Sequence, residues 1–187
     1  MERQRCSWVG ADEIYLAYHD EVWGRPIYDS QTLFAKLCLE GQQAGLSWIT
    51  ILKKQQNYEL AFARFNPTVI AKFDDEKIEA LLQNKGIVRN RLKVNSIINN
   101  ARGYLAYTEA GNNFSAFLWS FVGGAPIVNQ FSSHSEVPVQ TIESVAMSKA
   151  LKKMGFNFVG PTICYAFMQA VGMVNDHAID CFCYKKF

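Results

Sequence analysis

Apolar residues in this chain recur at helical spacing, and run after run is closed by a glycine or restarted at an Asn-Pro or Gly-Pro step. Leu33, Phe34 and Leu37 mark one face of a helix expected over 29–43. Helices are also expected over 14–21, with Asp12 as cap, and over 48–65, in one piece or in two with a break. Asn66 and Pro67 open 68–73, and Asp74 or Asp75 caps a helix that carries Ile78, Leu81 and Leu82 to a stop near Gly86. Further runs cover 88–107, with Leu92, Ile97, Ile98, Ala101 and Leu105 near helical spacing, then 114–122, 144–154 and 160–171. β-Branched pairs such as Val69-Ile70 lie inside helical periods, so no strand is expected. A loop at 123–139, rich in Gly, Pro, Ser and Asn, is the longest interruption. The expected fold is all-α.

Of the 187 residues, 49% are apolar and 19% charged, against a typical ~25% charged. That is enough apolar material for one core, and 1–187 is read as a single domain. A net charge of +2 is too mild to announce nucleic acid, so the placement of charge must decide. No apolar run approaches the ~20 residues of a membrane span, and the start, Met1-Glu2-Arg3-Gln4-Arg5, lacks the apolar stretch of a secretory signal. A cytoplasmic protein without membrane contact is expected. The five cysteines are odd in number and scattered, which suits core residues or metal ligands better than a disulfide framework.

The stretch Leu39-Glu40-Gly41-Gln42-Gln43-Ala44-Gly45-Leu46-Ser47-Trp48 carries the strongest chemical suggestion. Glu40 follows Leu37 by three and Leu33 by seven, which puts it on the apolar face. Gly41 and Gly45 loosen the helix, and Ser47 can cap a second one that begins with Trp48. A carboxylate on a core face and an indole on either side of a tight turn suit a pocket for a flat polar ring. The plainer reading is a helix end whose Glu40 twists into solvent, since a glutamate is almost never buried without a partner.

Three further groupings stand out. His177 and Cys181 are four apart and would share a face of a helical turn, while Cys6 and His19 lie at the other end of the chain. Two thiolates and two imidazoles make a closed tetrahedral zinc set of structural type, which would pin the termini together. The same residues also read as small core side chains, and Cys183 is a competing ligand. Trp8, Tyr15, Tyr18, Trp23 and Trp48 are dense near the N-terminus, either as core or as a pocket that stacks on a cationic base. Lys152-Lys153-Met154-Gly155-Phe156-Asn157-Phe158-Val159-Gly160-Pro161-Thr162 joins two helices, and the new N-terminus at Gly160 offers free N–H groups to a phosphate. Arg89, Arg91, Lys93 and Arg102 form another basic helix, equally compatible with plain solvation.

Tyr18-His19-Asp20-Glu21-Val22-Trp23-Gly24, the Leu39 to Trp48 stretch, Phe158-Val159-Gly160-Pro161-Thr162-Ile163-Cys164-Tyr165 and Val174-Asn175-Asp176-His177 together resemble the type I, constitutive bacterial family of 3-methyladenine-DNA glycosylases. The resemblance runs over essentially the whole chain. It implies a helix-hairpin-helix glycosylase fold with the hairpin at about 144–172, and a structural Zn2+ held by Cys6, His19, His177 and Cys181. It implies that Glu40 is the catalytic carboxylate, accepting from the exocyclic amine of 3-methyladenine. Tyr18 and Trp48 would stack on the base, with Trp8, Tyr15 and Trp23 shaping the pocket. Gly160, Thr162 and Lys153 would meet phosphates of double-stranded DNA, and Gly45 and Leu46 would enter the gap left by the flipped base.

One departure from the wider superfamily is informative. Phe158 stands at the first hairpin glycine, and Asn175 stands where many members carry an aspartate. Asp176 is next door but alternates in direction. The type I family shares this loss. The implied reaction is hydrolysis of an already labile N-glycosidic bond by a monomeric bacterial enzyme, with free 3-methyladenine as product and no strand cleavage. The alternative is a non-catalytic helix-hairpin-helix DNA-binding module.

Overall fold

The structure, a computed structural model, describes residues 3–184. Among them the order is α1 (Glu13–Glu21), α2 (Ser30–Gln43), α3 (Trp48–Leu52), α4 (Gln55–Ala61), α5 (Pro67–Ile70), α6 (Asp75–Gln83), α7 (Arg91–Glu109), α8 (Phe114–Ser120), β1 (Ile127–Val128), α9 (Ile142–Lys153), α10 (Pro161–Ala170) and β2 (Val174–Asn175). Short polar side chains start most of the helices. Asp12, Asp29, Asn66, Asp74, Asn90, Asn113 and Thr141 each accept a first-turn backbone N–H. Ser47 does sit at the N-cap of α3, but its hydroxyl pairs with the Thr50 hydroxyl at 2.8 Å and caps nothing.

Three expectations need correction. The expected 48–65 helix is cut twice, and its end is a 3-10 turn, Ala63–Phe65, with positive φ at all three residues. That left-handed turn swings the chain so that both Phe62 and Phe65 enter the core. The 88–107 helix starts at Arg91 because Asn90 caps it, and Leu92 is 70% exposed, leaving Val94, Ile97, Ile98 and Ala101 as the buried stripe. Two short strands do form: β1, within the expected loop, pairs in parallel with β2, with Ile127 opposite Val174 and Val128 opposite Asn175.

Two apolar clusters organise the interior. The larger packs α2, α7 and α10 around Phe34, Leu37, Ile97, Phe114 and Phe167. The smaller joins the two ends of the chain through Cys6, Val9, Tyr18, Trp23, Ala170, Cys181 and Cys183. Trp48 packs against both, so the first turn of α3 marks their seam. Helix α7 is also pressed onto the α9–α10 hairpin: a Cβ at Gly103 would lie 2.4 Å from the Met154 carbonyl oxygen. Gly103→Ala is therefore expected to lower stability by about 1–3 kcal/mol, seen as a reduced urea midpoint with unchanged slope. A wild-type midpoint would mean that the hairpin is not seated on α7 as described.

Candidate active site and metal centre

A cavity of about 220 Å³ opens at the seam, lined by Trp8, Tyr15, Tyr18, Trp23, Glu40, Gln43, Trp48, His134, Ala166 and Gln169. The Asp12 cap starts α1 in the phase that puts Tyr15 and Tyr18 on one face, ring centroids 6.5 Å apart. Tyr18 stands 5.5 Å from Trp48 at an interplanar angle of 47°. Trp8 packs edge-on against Tyr15 at 5.1 Å and Trp23 at 5.0 Å. Glu40, on the last stretch of α2, is only 2% exposed. Its carboxyl accepts no hydrogen bond from any described residue, and burial pushes its pKa up to about 8 against the opposing charge of Lys36 one turn earlier. Burial, and then the charge of Glu40, also push the Tyr18 and Tyr15 hydroxyls up, so both stay protonated. The Trp48 indole N–H is buried with no hydrogen-bond partner of acceptable geometry. Flat walls, one unpaired acid and a spare donor suit a planar ring that carries an amine and a positive charge.

Behind Trp8 and Trp23 lies the Cys/His cluster. Cys6, His19, His177 and Cys181 are all buried, with their donor atoms within 4.8 Å of one another. Cys6 Sγ is 3.6 Å from His177 Nδ1, and Cys181 Sγ is 3.5 Å from His19 Nε2 and 3.6 Å from His177 Nδ1. A tetrahedral ion with metal–sulfur bonds of about 2.3 Å and metal–nitrogen bonds of about 2.0–2.1 Å has nitrogen–sulfur edges of about 3.5 Å, so the donor set fits a metal. The outward ring nitrogens are also engaged: His19 Nδ1 lies 2.8 Å from Asp20 Oδ1, and His177 Nε2 lies 3.3 Å from the Trp23 carbonyl. Asp20 is itself gripped by Arg5 at 2.8 Å, which with His19 lowers its pKa to about 2. Backbone N–H groups of Ala178 and Cys183 point at the two sulfurs at 3.4 Å. Cys6 and Cys181 are close enough to share one thiol proton: their mutual hydrogen bond, with the two imidazoles, favours the Cys181 thiolate, while the same bond and burial push the Cys6 thiol up. His177 and Cys181 meet through a turn closed by Cys181 N–H to the Ala178 carbonyl, not through a helical turn. Cys183 stands outside the four, near Asp20.

The sequence profile of the methyladenine glycosylases matches residues 8–184. The chain belongs to the methyladenine glycosylase family. It is 55% identical over 179 residues to a DNA-3-methyladenine glycosylase of Haemophilus influenzae, covering 96% of this chain and 97% of that one. It is 54% identical over 181 residues to DNA-3-methyladenine glycosylase 1 of Escherichia coli, covering 97% of each. A solved structure of a tyrosine-to-phenylalanine variant of 3-methyladenine DNA glycosylase I, in complex with 3-methyladenine, superposes with a TM-score of 0.92 at 42% identity, covering 95% of this chain and 96% of that one.

The hairpin of this family member is built on strain that its surroundings hold. Phe158, at φ +54°, adopts the left-handed backbone that favours glycine, at a cost of roughly 1–2 kcal/mol. Bonds on both sides fix it: Asn157 N–H donates to Asn100 Oδ1 at 2.7 Å, and the Ser148 hydroxyl donates to the Val159 carbonyl at 2.6 Å. Gly160 then caps α10 without a side chain, Pro161 occupies the first turn, and Thr162, Lys152 and Lys153 are exposed beside it. In the turn between α2 and α3, Gly45 has φ +75° with open space where a side chain would sit, and Leu46 is 40% exposed.

Asn175 is buried and is not among the residues lining the cavity: it donates to the Tyr184 carbonyl and accepts from His177 N–H. Asp176 turns the other way and accepts from the Tyr165 hydroxyl at 2.6 Å, Gln169 at 2.8 Å and Asn129 at 2.7 Å. Gln43, Ala166, Gln169 and His134 are pocket residues that the sequence reading missed. Ala166 and Gln169 are three apart on α10 and could have been found by helical phase. His134 opens a single 3-10 turn, His134–Glu136, inside the expected 123–139 loop, and three residues are too few to show a period.

Proposed function

We propose that this protein removes 3-methyladenine from alkylated double-stranded DNA by hydrolysing the N-glycosidic bond, and that it leaves the strand intact. The observation that carries the reading is Glu40, an acid buried without a hydrogen bond in an aromatic cavity. A purine methylated at N3 is cationic while joined to sugar. Entering the cavity, it would draw Glu40 to its carboxylate form, which then accepts from the exocyclic amine. Tyr18 and Trp48 gain cation–π energy of about 0.5–2 kcal/mol from the same charge, so an uncharged purine is passed over.

The chemistry asks little more. As the bond from ring nitrogen to sugar carbon breaks, its electron pair goes to the base and cancels the positive charge. Water adds to the sugar carbon and gives up a proton. Flipping costs a few kcal/mol, and least for a damaged base. Lysine is absent from the described lining of the cavity, and the Lys36 ammonium, over the Tyr18 ring at 5.9 Å from its centroid, is engaged with the charge of Glu40, so water rather than an amine is read as the nucleophile. Gly160, Thr162 and Lys153 would hold phosphate oxygens at the hairpin, and Gly45 with Leu46 would fill the gap in the duplex. Zinc suits the Cys/His set, which leaves no open position for water and therefore serves structure. The chain as a whole is read as one glycosylase domain.

Methylated duplex DNA supplies the test. The protein should release 3-methyladenine, identified by chromatography, and leave abasic sites in unbroken strands. A DNA-binding module would release nothing, and direct strand scission would reject the hydrolytic route.

A further inference from the structure

Lys93 belongs to the expected basic helix face, yet it is only 6% exposed. Burial lowers its pKa, and no carboxylate among the described residues pairs with it. Its partners are the end of α2. The Lys93 ammonium donates to the Gln42 carbonyl at 2.6 Å and to the Ala44 carbonyl at 2.8 Å. The neighbouring carbonyls are already used: Gly41 accepts from Ala44 N–H at 3.4 Å, and Gln43 accepts from Leu46 N–H at 2.6 Å. The lysine therefore takes the two carbonyls that the turn leaves over, at the negative end of the helix dipole. The clamp is reciprocal. The Gln42 side chain donates back to the Lys93 carbonyl at 3.2 Å and accepts from the Tyr58 hydroxyl at 3.3 Å.

This arrangement sits between two working parts. Glu40 is two residues before Gln42, and the Gly45-Leu46 turn begins directly after Ala44. A helix C-terminus is commonly closed within its own chain, by a left-handed glycine or a nearby basic side chain, whereas this one is tied to a second helix. A buried ammonium bonded to carbonyls on either side of the exit fixes its direction instead. We propose that Lys93 is a positioning residue for base extrusion: it holds the end of α2 so that Leu46 is set for the duplex before DNA arrives. The inference rests on the reading of Leu46 as the group that enters the gap. Free 3-methyladenine needs no extrusion, so binding of the base alone is independent of the clamp.

Lys93→Met, Lys93→Arg, Leu46→Ala and the Lys93→Met/Leu46→Ala pair test it, each first checked for metal content and melting temperature. Single-turnover excision from methylated duplex should fall about tenfold or more in Lys93→Met, while its affinity for free 3-methyladenine stays within about twofold of wild type. Lys93→Arg, which keeps the charge and donors, should recover part of the rate. Leu46→Ala should be slow by itself, and adding Lys93→Met to it should cost little more, because both act on one element. Wild-type excision by Lys93→Met beside a slow Leu46→Ala would overturn the role of Lys93 alone. Wild-type excision by Leu46→Ala would overturn the reading of Leu46, and the proposal with it. Equal losses of excision and free-base binding, or additive losses in the pair, would reduce Lys93 to a structural cap.

Discussion

Glu40→Gln is expected to slow excision by about 100-fold while making the free protein more stable. The two effects have one cause. In the folded protein burial moves the Glu40 carboxyl from its ordinary 4.5 to about 8. Below the ordinary value both folded and unfolded chains are protonated, and the side chain is neutral to stability. As pH rises through the window, the unfolded chain ionises first and the folded state is penalised by roughly 1.4 kcal/mol per unit. Above about 8 both are ionised and the penalty is constant. The melting temperature of Glu40→Gln should therefore match wild type near pH 4 and exceed it progressively up to about pH 8. Excision moves the opposite way. Binding a cationic base requires the carboxylate, so wild-type efficiency at limiting substrate should climb through the same window, and the glutamine variant should lose that climb. Equal melting curves at all pH values would mean that the acid is solvated and the pocket reading is wrong.

Cys181→Ser should have the second largest effect. It removes one of four ligands that tie residues near the two ends of the chain, and loss of a metal site belongs to the few changes that cost more than about 4 kcal/mol. For a chain of this size that corresponds to roughly 10 °C in melting temperature or more. The damage should reach the pocket, because Trp8 lies 5.4 Å from the His19 ring and Trp23 lies 4.6 Å from the His177 ring. Free 3-methyladenine should bind more weakly to Cys181→Ser for that reason. Cys183→Ser is the matched control: its sulfur stands outside the four-ligand set, so metal content should hold at one ion per chain in that variant and fall in Cys181→Ser. Equal metal content in both would contradict the assignment.

What the sequence revealed follows the physics of each feature. The helix starts at Asp12, Asn66 and Asp74 were legible because such caps act locally, within three residues of the N–H they satisfy. The starts after Asn90 and Thr141 were displaced by two or three residues because those caps were passed over. The inward turn of Glu40 was legible as a phase relation to Leu33 and Leu37. The Cys/His set was legible only as one option: residue type and the four-residue spacing of His177 and Cys181 suggested it, and the resemblance favoured it over core packing, since Cys6 and His177 are 171 residues apart and no local rule joins them. The turn at Ala63–Phe65 was not legible: it has positive φ at three residues with no glycine among them to signal it, and it is held by backbone bonds and by the burial of Phe62 and Phe65, which no local pattern shows. The β1–β2 pair was missed because two-residue strands carry no alternation to detect. Lys93 was misread for a related reason. Its position on a charged stretch of α7 suggests solvent, and only the exit of α2 above it makes a buried ammonium stable.

The position of the bound base tests all of this most directly. Intermolecular NOEs from the N-methyl group of 3-methyladenine to the metal-loaded protein would report it. They should reach the ring protons of residues around the seam cavity, Tyr18 and Trp48 foremost, and Glu40→Gln should weaken the complex that gives them. NOEs to the open cavity beside Lys36, Gln55 and Arg64, with none to Tyr18 or Trp48, would place the base elsewhere and contradict the account.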